Sequence, residues 1–296
     1  MVKKIDLHIH TVCSDGALTP KEVIDEAVKN GVSVIAIADH DTIEAYNDDL
    51  FEYAKNKNIQ IINAVEISTK AKKCGVHVLG YNFNMNDKEF RDGLLSLRNS
   101  RHDYLFNVAS KIKELGYTIN TEELDKVDAV TKAHIASDVV NNEKNYKLLM
   151  DNFDHIPSRG EFIETVMNEG CPAYVEKKTV TPKQAADMIR KAGGKAVLAH
   201  PVAYTYEDNL SEEDILEIVK EMNPDGIEAY YIYFNRENKK INDIEKWKNF
   251  TKNNNLFYTI GSDFHIKSST GLEIGLDPKE FSLSEKEIEE IISNLV

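Results

Sequence analysis

Two histidines near the start of the chain, His8 and His10, are two residues apart. On a β-strand this spacing would allow both side chains to bind the same metal ion. If the apolar run from Val2 to Ile9 is a strand, its period of two puts Asp6, His8 and His10 on one face and the intervening Ile and Leu side chains on the other. Imidazole nitrogen is a common ligand of divalent transition metals. A surface strand with two solvated histidines explains the same pattern, so the pair alone leaves both interpretations open.

Further acidic and imidazole side chains stand at or just after the carboxyl ends of apolar runs. They are His10, His40, Glu66, His200, Asp263 and His265. In parallel α/β folds these ends open onto one common face, so we expect the side chains to lie close together. Separate structural accidents have no reason to choose the same end of each strand. His77 lies inside its apolar run, where a structural role is an equal alternative.

Helix and strand signals alternate along much of the chain. Thr19-Pro20-Lys21-Glu22 and Thr181-Pro182-Lys183-Gln184 are each predicted to cap a helix, with proline at its first position. Four helices are predicted, beginning near Pro20, Pro182, Ser211 and Arg236 and ending near Gly31, Gly193, Met222 and Asn253. Strands VSVIAIA, KAVLA, GIEAYY and LFYTI follow them. Repeated helix-strand units predict an α/β protein with a mostly parallel sheet.

The middle of the chain differs from both ends. From about Asp87 to Gly170 it contains long polar helical stretches and no comparable buried strand. We therefore expect residues 1–86 and 171–296 to form an α/β domain, and residues 87–170 to form a helical insertion that serves as a cap. The charged candidates for contact with substrate in this insertion are Arg98, Arg101, Lys132, His134 and Arg159.

Composition and charge exclude several classes of protein. The formal net charge of -14 argues against a protein that wraps duplex DNA, since such binding depends on many Lys and Arg contacts to phosphate. No apolar run approaches a membrane span and residues 1–9 lack the apolar stretch of a signal peptide, so the expected location is the cytoplasm. Cys13, Cys74 and Cys171 are scattered, which indicates neither a disulfide framework nor a thiolate zinc site.

The candidate residues suit hydrolysis by two or three divalent ions. Histidine nitrogen and carboxylate oxygen together accommodate Mn, Zn or Fe. Two such ions about 3.5 to 4 Å apart can hold a bridging hydroxide and neutralise the oxygens of a phosphoryl group under attack. The sequence offers about nine candidate ligands, more than one ion uses.

Five ordered motifs carry a family resemblance over nearly the whole chain. D-L-H-I-H-T-V-C-S-D-G, A-D-H-D, E-I-S, A-H-P and G-S-D-F-H resemble the PHP (polymerase and histidinol phosphatase) superfamily of metal-dependent phosphoesterases. T-K-A-H-I-A, C-P-A-Y-V and A-G-G-K-A-V-L-A-H-P further resemble the branch with nucleoside 3',5'-bisphosphate phosphatases and 5' to 3' trimming exonucleases of small RNA. The resemblance implies a distorted (β/α)7 barrel, a trinuclear site at its carboxyl-terminal face and a helical domain inserted over it.

The same resemblance implies a metal ligand set and the residues at the centre of catalysis. One ion would be held by His8, His10, Glu66 and Asp263, a second by Glu66, His77 and His200, and a third by Asp15, His40 and His265. Glu66, His200 and Asp263 are the implied catalytic residues. The chain departs from the pattern at Asp15, where many relatives have histidine, and at Lys132, where the branch commonly has arginine.

The expected reaction is hydrolysis of a phosphate ester by a metal-bound hydroxide. The expected substrates are nucleoside 3',5'-bisphosphates or short 5'-phosphorylated RNA, with no duplex DNA or membrane partner, and the chain is expected to act as a monomer. Histidinol phosphatase is the main alternative. An amidohydrolase-like deaminase also begins with His-x-His, but it gives no reason for a bridging Glu66 or for the pair Asp263 and His265. A non-catalytic regulatory module would show gaps in the ligand set.

Overall fold

The computed structural model describes residues 4–72, 74–125, 130–176, 179–235, 239–266, 272–275 and 283–296. The strands in these ranges are β1 Lys4–Ile9, β2 Val32–Ile37, β3 Gln60–Ile61, β4 Ala64–Lys70, β5 Gly75–Tyr81, β6 Lys195–Leu198, β7 Gly226–Tyr230, β8 Tyr233–Phe234, β9 Lys240–Ile241 and β10 Phe257–Ile260. The α-helices are α1 Pro20–Lys29, α2 Asp48–Asn56, α3 Lys88–Glu114, α4 Thr121–Asp125, α5 Lys132–Asn141, α6 Tyr146–Phe153, α7 Arg159–Phe162, α8 Pro182–Lys191, α9 Pro201–Glu207, α10 Glu212–Met222, α11 Ile244–Asn253 and α12 Glu285–Leu295. The fold is mixed α/β.

Capping boxes start the helices where the sequence predicts them. Thr19 and Glu22 exchange hydrogen bonds at the start of α1, and Thr181 and Gln184 do the same at α8. The third predicted helix is α10, which has Ser211 as its N-cap. The fourth prediction is wrong at its start, because α11 begins only at Ile244 and is preceded by the small antiparallel pair β8 and β9. Arg236, where that helix was expected to begin, lies outside the described residues.

The sheets are less parallel than the repeated units predict. Their strand orders are β1-β2-β3, β10-β7-β6-β5-β4 and β8-β9. The pairs β1–β2, β2–β3, β6–β7 and β7–β10 are parallel, whereas β4–β5, β5–β6 and β8–β9 are antiparallel. The reason is that β5 follows β4 through a short turn, and two strands joined by a hairpin run in opposite directions.

A closed (β/α)7 barrel is not confirmed, because the described strands form separate sheets. Single backbone bridges connect the two larger sheets, one between Ile9 and Phe264 and one between His40 and Glu66. Strand β1 also shifts register against β2 between Asp6 and Ile9. Ile5 and Leu7 therefore pack in one core cluster and Ile9 in another, so the strict alternation predicted for this strand ends at the shift.

The chain divides into two compact units, Met1–Leu95 with Val180–Val296, and Ser96–Thr179. In the first unit, one core cluster joins apolar side chains of β1, β2, β5, β6, β7 and β10, and a second lies between β1, β2 and helices α1 and α2. The other unit has its own core, which includes Val108, Ile135, Val139 and Phe162, and its described part contains no strand. None of the described helices is long and apolar enough to span a membrane.

Candidate metal centre

All nine side chains of the expected ligand set converge in the first unit, which contains six of the nine histidines of the chain. The side chains form three groups, and in each group one ligand atom from every residue lies within 4.8 Å of the ligand atoms of the other residues. They are His8, His10, Glu66 and Asp263; His10, Asp15, His40 and His265; and His40, Glu66 and His77. His200 joins them through its Nε2, which lies 3.1 Å from Glu66 Oε1. The implied groups are therefore adjacent, and His10 and His40 lie near more of the other ligands than the resemblance implies.

Glu66 lies at the centre of the cluster, and its side chain is buried. Five histidines place a ring nitrogen within 3.3 Å of its carboxylate, with His10 (3.2 Å), His8 (3.3 Å) and His40 (3.1 Å) near Oε2 and His77 (2.9 Å) and His200 (3.1 Å) near Oε1. Burial alone would raise the pKa of Glu66, but the surrounding imidazoles of His40, His77 and His8 outweigh it and hold the pKa well below its usual range. Glu66 therefore carries a negative charge that faces two sides of the site.

The position of Glu66 and His77 follows from the hairpin of β4 and β5. Glu66 is the third residue of β4 and not at its end, so the expected placement was wrong in this detail. It is nevertheless level with the end of β2, because Glu66 N–H donates to the carbonyl of Asp39 and Asp41 N–H donates to the carbonyl of Glu66. Since β5 runs antiparallel, His77 near its beginning lies beside Ser68 of β4, on the side where the parallel strands end.

Asp263 contributes its two carboxylate oxygens to different neighbours. Oδ1 lies 3.1 Å from His10 Nε2 and 3.4 Å from His8 Nε2, whereas Oδ2 accepts a hydrogen bond of 3.1 Å from the Tyr231 hydroxyl. Burial would raise the pKa of Asp263, but the charges of His8, His10 and His265 hold it well below its ordinary value. For His10 burial favours the neutral ring, yet the carboxylates of Asp263 and Glu66 raise its pKa to about 10. A proton on His10 thus compensates charge that a bound cation would neutralise.

Asp15 and His265 lie on the more open side of the cluster. Asp15 Oδ1 is 3.3 Å from His265 Nε2 and 3.4 Å from His10 Nδ1, and its Oδ2 is 3.7 Å from His40 Nε2. The side chains of Asp15 and His265 are 29% and 32% exposed, whereas His8 and His10 are fully buried. This side of the cluster is therefore accessible to solvent.

Two residues of the cluster have a strained backbone. His200 has a φ of 23° and Asp263 a φ of 53°, in a region that side chains other than glycine rarely adopt. Such conformations cost about 1 to 3 kcal/mol and persist where surrounding contacts hold them. His200 N–H donates to Glu228 Oε2 at 3.0 Å, and Asp263 N–H donates to the carbonyl of His8 at 2.8 Å. The two strained residues follow the ends of β6 and β10, where the chain changes direction and the side chains of His200 and Asp263 face the cluster.

The unpaired donor atoms of the cluster fit bound cations. His40 Nδ1, His77 Nδ1 and Asp263 Oδ1 are buried, and within the described chain they have no partner in hydrogen-bonding geometry. His8 Nε2 and His10 Nε2 lie 3.1 Å apart with two carboxylates beside them. Buried polar atoms without partners are rare in proteins, and a set of imidazole nitrogens and carboxylate oxygens is the donor chemistry of Mn, Zn and Fe sites. The residues present therefore fit divalent metal ions.

The sequence motifs missed two of three supporting residues, Glu228 and Tyr231, whereas the third, Asp39, lies in the A-D-H-D motif. Glu228 on β7 is buried and lies 3.0 Å from His8 Nδ1. Tyr231, just after the same strand, holds Asp263 as described above. Asp39 accepts hydrogen bonds from Thr11 N–H, the Thr11 hydroxyl and the Ser14 hydroxyl, which fixes the loop before Asp15. The signal for Glu228 was present as a single acid inside the apolar run GIEAYY, where an unpaired carboxylate would be costly.

The five expected substrate-binding residues all lie in the unit Ser96–Thr179. Arg98 and Arg101 are on α3, Lys132 and His134 on α5, and Arg159 begins α7. Lys132 Nζ donates to Asn168 Oδ1 at 3.0 Å, and His134 completes the capping box of α5 with Thr131. Their contact with a substrate stays a prediction.

The family model of the PHP domain matches residues 6–193. The chain therefore belongs to the PHP domain family, which confirms the resemblance of its motifs to PHP phosphoesterases. A 5'-3' exoribonuclease of Haemophilus influenzae is 30% identical over 90% of this chain and 91% of its own length. A 3',5'-nucleoside bisphosphate phosphatase of Chromobacterium violaceum is 26% identical over 92% of this chain and 90% of its own.

A solved structure shows that the fold is shared. An amidohydrolase from Chromobacterium violaceum superposes with a TM-score of 0.70 over 99% of this chain and 97% of that chain, at 23% sequence identity. At this identity the likeness concerns the fold and not the reaction.

Proposed function

We propose that this protein is a metal-dependent phosphoesterase that hydrolyses phosphate esters of nucleotides, either nucleoside 3',5'-bisphosphates or short RNA with a 5' phosphate. The observation that carries the proposal is the convergence of five imidazoles on the two oxygens of Glu66, next to Asp263 and Asp15. Support for the substrate class comes from the two relatives, one named as an exoribonuclease and the other as a nucleoside bisphosphate phosphatase.

In this proposal two or three divalent ions, Mn, Zn or Fe, are held by the nine clustered side chains. One is assigned to His8, His10, Glu66 and Asp263, a second to Glu66, His77 and His200, and a third to Asp15, His40 and His265. When bound, the ions would activate water and neutralise the oxygens of the phosphoryl group. Glu66 lies between the residues assigned to the first ion and those assigned to the second, since its Oε2 faces His8 and His10 while its Oε1 faces His77 and His200.

The protein's own catalytic groups are proposed to be Glu66, His200 and Asp263. Glu66 supplies a fixed negative charge between the first two positions. The backbone N–H groups of His200 and Asp263 are held by Glu228 and by the carbonyl of His8, so the ligand atoms of these two residues need little rearrangement when the reaction proceeds. Tyr231 occupies Asp263 Oδ2 and leaves Oδ1 directed at the cluster.

The helical unit is proposed to hold the part of the substrate that does not react. Arg98, Arg101, Lys132, His134 and Arg159 are the candidates for binding a second phosphate, and we propose that residues 87–170 act as a cap on the α/β domain. We also propose that the strands order as the distorted seven-stranded barrel of the family. The bridges from Ile9 to Phe264 and from His40 to Glu66 support this order, since the first connects β1 to the segment after β10 and the second connects the segment after β2 to β4.

A product-release assay on Mn-loaded protein, which measures inorganic phosphate from the phosphomonoesters and nucleoside monophosphates from the RNA, tests the substrate class. It compares a nucleoside 3',5'-bisphosphate, a short RNA with a 5' phosphate, and histidinol phosphate, each with and without EDTA. We expect EDTA-sensitive hydrolysis of the first two, at a rate well above that of the third. Hydrolysis of histidinol phosphate alone would make the nucleotide assignment wrong and the histidinol phosphatase alternative right.

A further inference from the structure

We propose that Glu228 is a positioning residue that fixes the tautomer of His8, so that His8 presents the lone pair of Nε2 to the metal cluster. The inference rests on the proposed function, because it assigns a role to a residue behind the metal ligands. Glu228 is fully buried in the middle of β7 and belongs to none of the groups whose ligand atoms converge. A fully buried acid in a strand needs partners that compensate its charge.

The contacts of Glu228 identify which nitrogen of His8 carries a proton. His8 Nδ1 lies 3.0 Å from Oε1 and 3.2 Å from Oε2 of Glu228, and an ionised carboxylate only accepts hydrogen bonds. Nδ1 is therefore the protonated nitrogen. Nε2, on the other side of the ring, faces Glu66 Oε2 at 3.3 Å and Asp263 Oδ1 at 3.4 Å, and with a cation bound among these groups it would present its lone pair to that cation. A histidine that binds a metal through one nitrogen usually donates the other N–H to such an acceptor.

Glu228 also holds a second ligand of the cluster. Its Oε2 accepts the backbone N–H of His200 at 3.0 Å, and His200 has the strained φ of 23°. Strand β7 lies between β6, which ends just before His200, and β10, which ends just before Asp263. One carboxylate therefore links His8, which is on β1, to the turn that carries His200.

The backbone at Gly261 passes very close to the contact between His8 and Glu228. A Cβ at Gly261 would clash with both Cβ of His8 and Oε1 of Glu228. Gly261 follows β10, and its missing side chain lets that strand end pass the His8–Glu228 contact. The contact is thus built from three separate strands.

The variant Glu228→Gln separates tautomer control from packing. Glutamine has nearly the same shape, but it offers one carbonyl oxygen and one NH2 group. The backbone N–H of His200 can only donate, so the carbonyl oxygen faces it and the NH2 group faces His8 Nδ1. The NH2 group then replaces the nearer oxygen at His8 Nδ1, which favours a ring that accepts at Nδ1 and carries its proton on Nε2 over one that donates to the carbonyl oxygen at the longer distance of 3.2 Å. A proton on Nε2 blocks that nitrogen as a ligand.

The test is Mn²⁺ titration by calorimetry together with the nitrogen chemical shifts of His8 in Zn²⁺-loaded protein. We expect the wild type to show a protonated Nδ1, and Glu228→Gln to bind Mn²⁺ about 10- to 100-fold more weakly, the usual effect of removing such a partner. Glu228→Asp keeps an acceptor-only group, so we expect a smaller loss and the wild-type tautomer. Equal affinity in Glu228→Gln and the wild type, or a loss in Glu228→Asp as large as in Glu228→Gln, would overturn the inference.

Tyr46→Phe is the matched control for lost buried hydrogen bonding. The Tyr46 hydroxyl bridges β2 and β4 through Ile37 and Ala64 and contacts no ligand. We expect this variant to unfold more easily and to bind Mn²⁺ as the wild type does. If wild-type protein shows the expected tautomer and Mn²⁺ affinity but cleaves no phosphate ester, the proposed function fails and the role of Glu228 stands. If wild-type protein cleaves phosphate esters but Glu228→Gln binds Mn²⁺ as tightly as the wild type does, the proposed function stands and the role of Glu228 fails.

Discussion

At the scale of single residues, charge is concentrated on a few buried side chains. Glu66 is within 3.3 Å of ring nitrogens from five histidines, so its carboxylate is the group that the most ligands share. Asp263 has one oxygen toward the cluster and the other toward Tyr231, whereas Asp15 lies on the exposed side. These differences in burial and in the number of neighbours predict different effects of substitution.

Glu66→Gln is expected to remove most of the activity. The amide keeps the shape but loses the negative charge that faces both sides of the cluster, and its NH2 group points a donor at imidazole nitrogens. Because removing even an indirect partner costs about 10- to 100-fold, we expect at least about a 100-fold loss of kcat and of metal affinity. The measurements are phosphate release and metal content of the purified protein. Glu52→Gln on the exposed face of α2 is the control, and activity of Glu66→Gln near that of the control would contradict the central role of Glu66.

Asp15→Asn is expected to affect one part of the cluster. Asp15 faces His265, His10 and His40, but it is not in the group of His8, His10, Glu66 and Asp263. We expect the number of bound Mn²⁺ ions per chain to fall by one while the others remain, as measured by elemental analysis after desalting. Unchanged stoichiometry would show that Asp15 does not hold an ion.

At the scale of elements, the order and direction of strands bring the ligands together. The antiparallel hairpin of β4 and β5 places His77 beside the ends of parallel strands, although His77 is at the beginning of its own strand. Strand β7 contributes no ligand but supplies Glu228, and Tyr231 follows it directly. The close approach of β10 to β1 depends on Gly261.

Gly261→Ala tests this approach of strand ends. The added methyl group would clash with His8 and Glu228, so either β10 or His8 must move. We expect lower metal affinity and a lower unfolding midpoint, measured by Mn²⁺ titration and thermal unfolding. Gly75→Ala is the control, since a Cβ there meets its nearest neighbour only at 3.9 Å. If both variants behave alike, the contact of β10 with His8 does not constrain the site.

At the scale of the whole molecule, metal binding and stability of the α/β unit are coupled. The cluster joins side chains from β1, β4 and β5 and from the ends of β2, β6 and β10, so an ion bound there crosslinks distant segments of the chain. The net charge of -14 adds to this effect, because bound cations reduce the repulsion among the acids around them.

Removal of metal is therefore expected to destabilise the protein. A ligand that binds only the folded state adds about 2.7 kcal/mol at a free concentration of 100 times its Kd. We expect EDTA to lower the thermal midpoint and added Mn²⁺ to restore it. Hydrogen exchange should show that Mn²⁺ protects the amides of β1, β4 and β5. An unfolding midpoint that is the same with EDTA and with excess Mn²⁺ would contradict metal binding to this cluster.

The local structure and the types of ligand could be predicted from the amino-acid sequence. Capping boxes at Thr19 and Thr181 and buried runs such as VSVIAIA depend on residues a few positions apart, and the structure confirms them. The motifs also predicted the family, and the match of the PHP domain model to residues 6–193 confirms it.

The support of these ligands could not be predicted in this way, because it depends on contacts between distant parts of the chain. The register shift in β1 and the contact of His8 with Glu228, 220 residues away, have no local signal. Local periodicity reports which face of a strand is buried, but it does not report which distant strand covers it. That choice follows from how the whole chain packs, and here it determines which nitrogen of His8 is free to bind a metal.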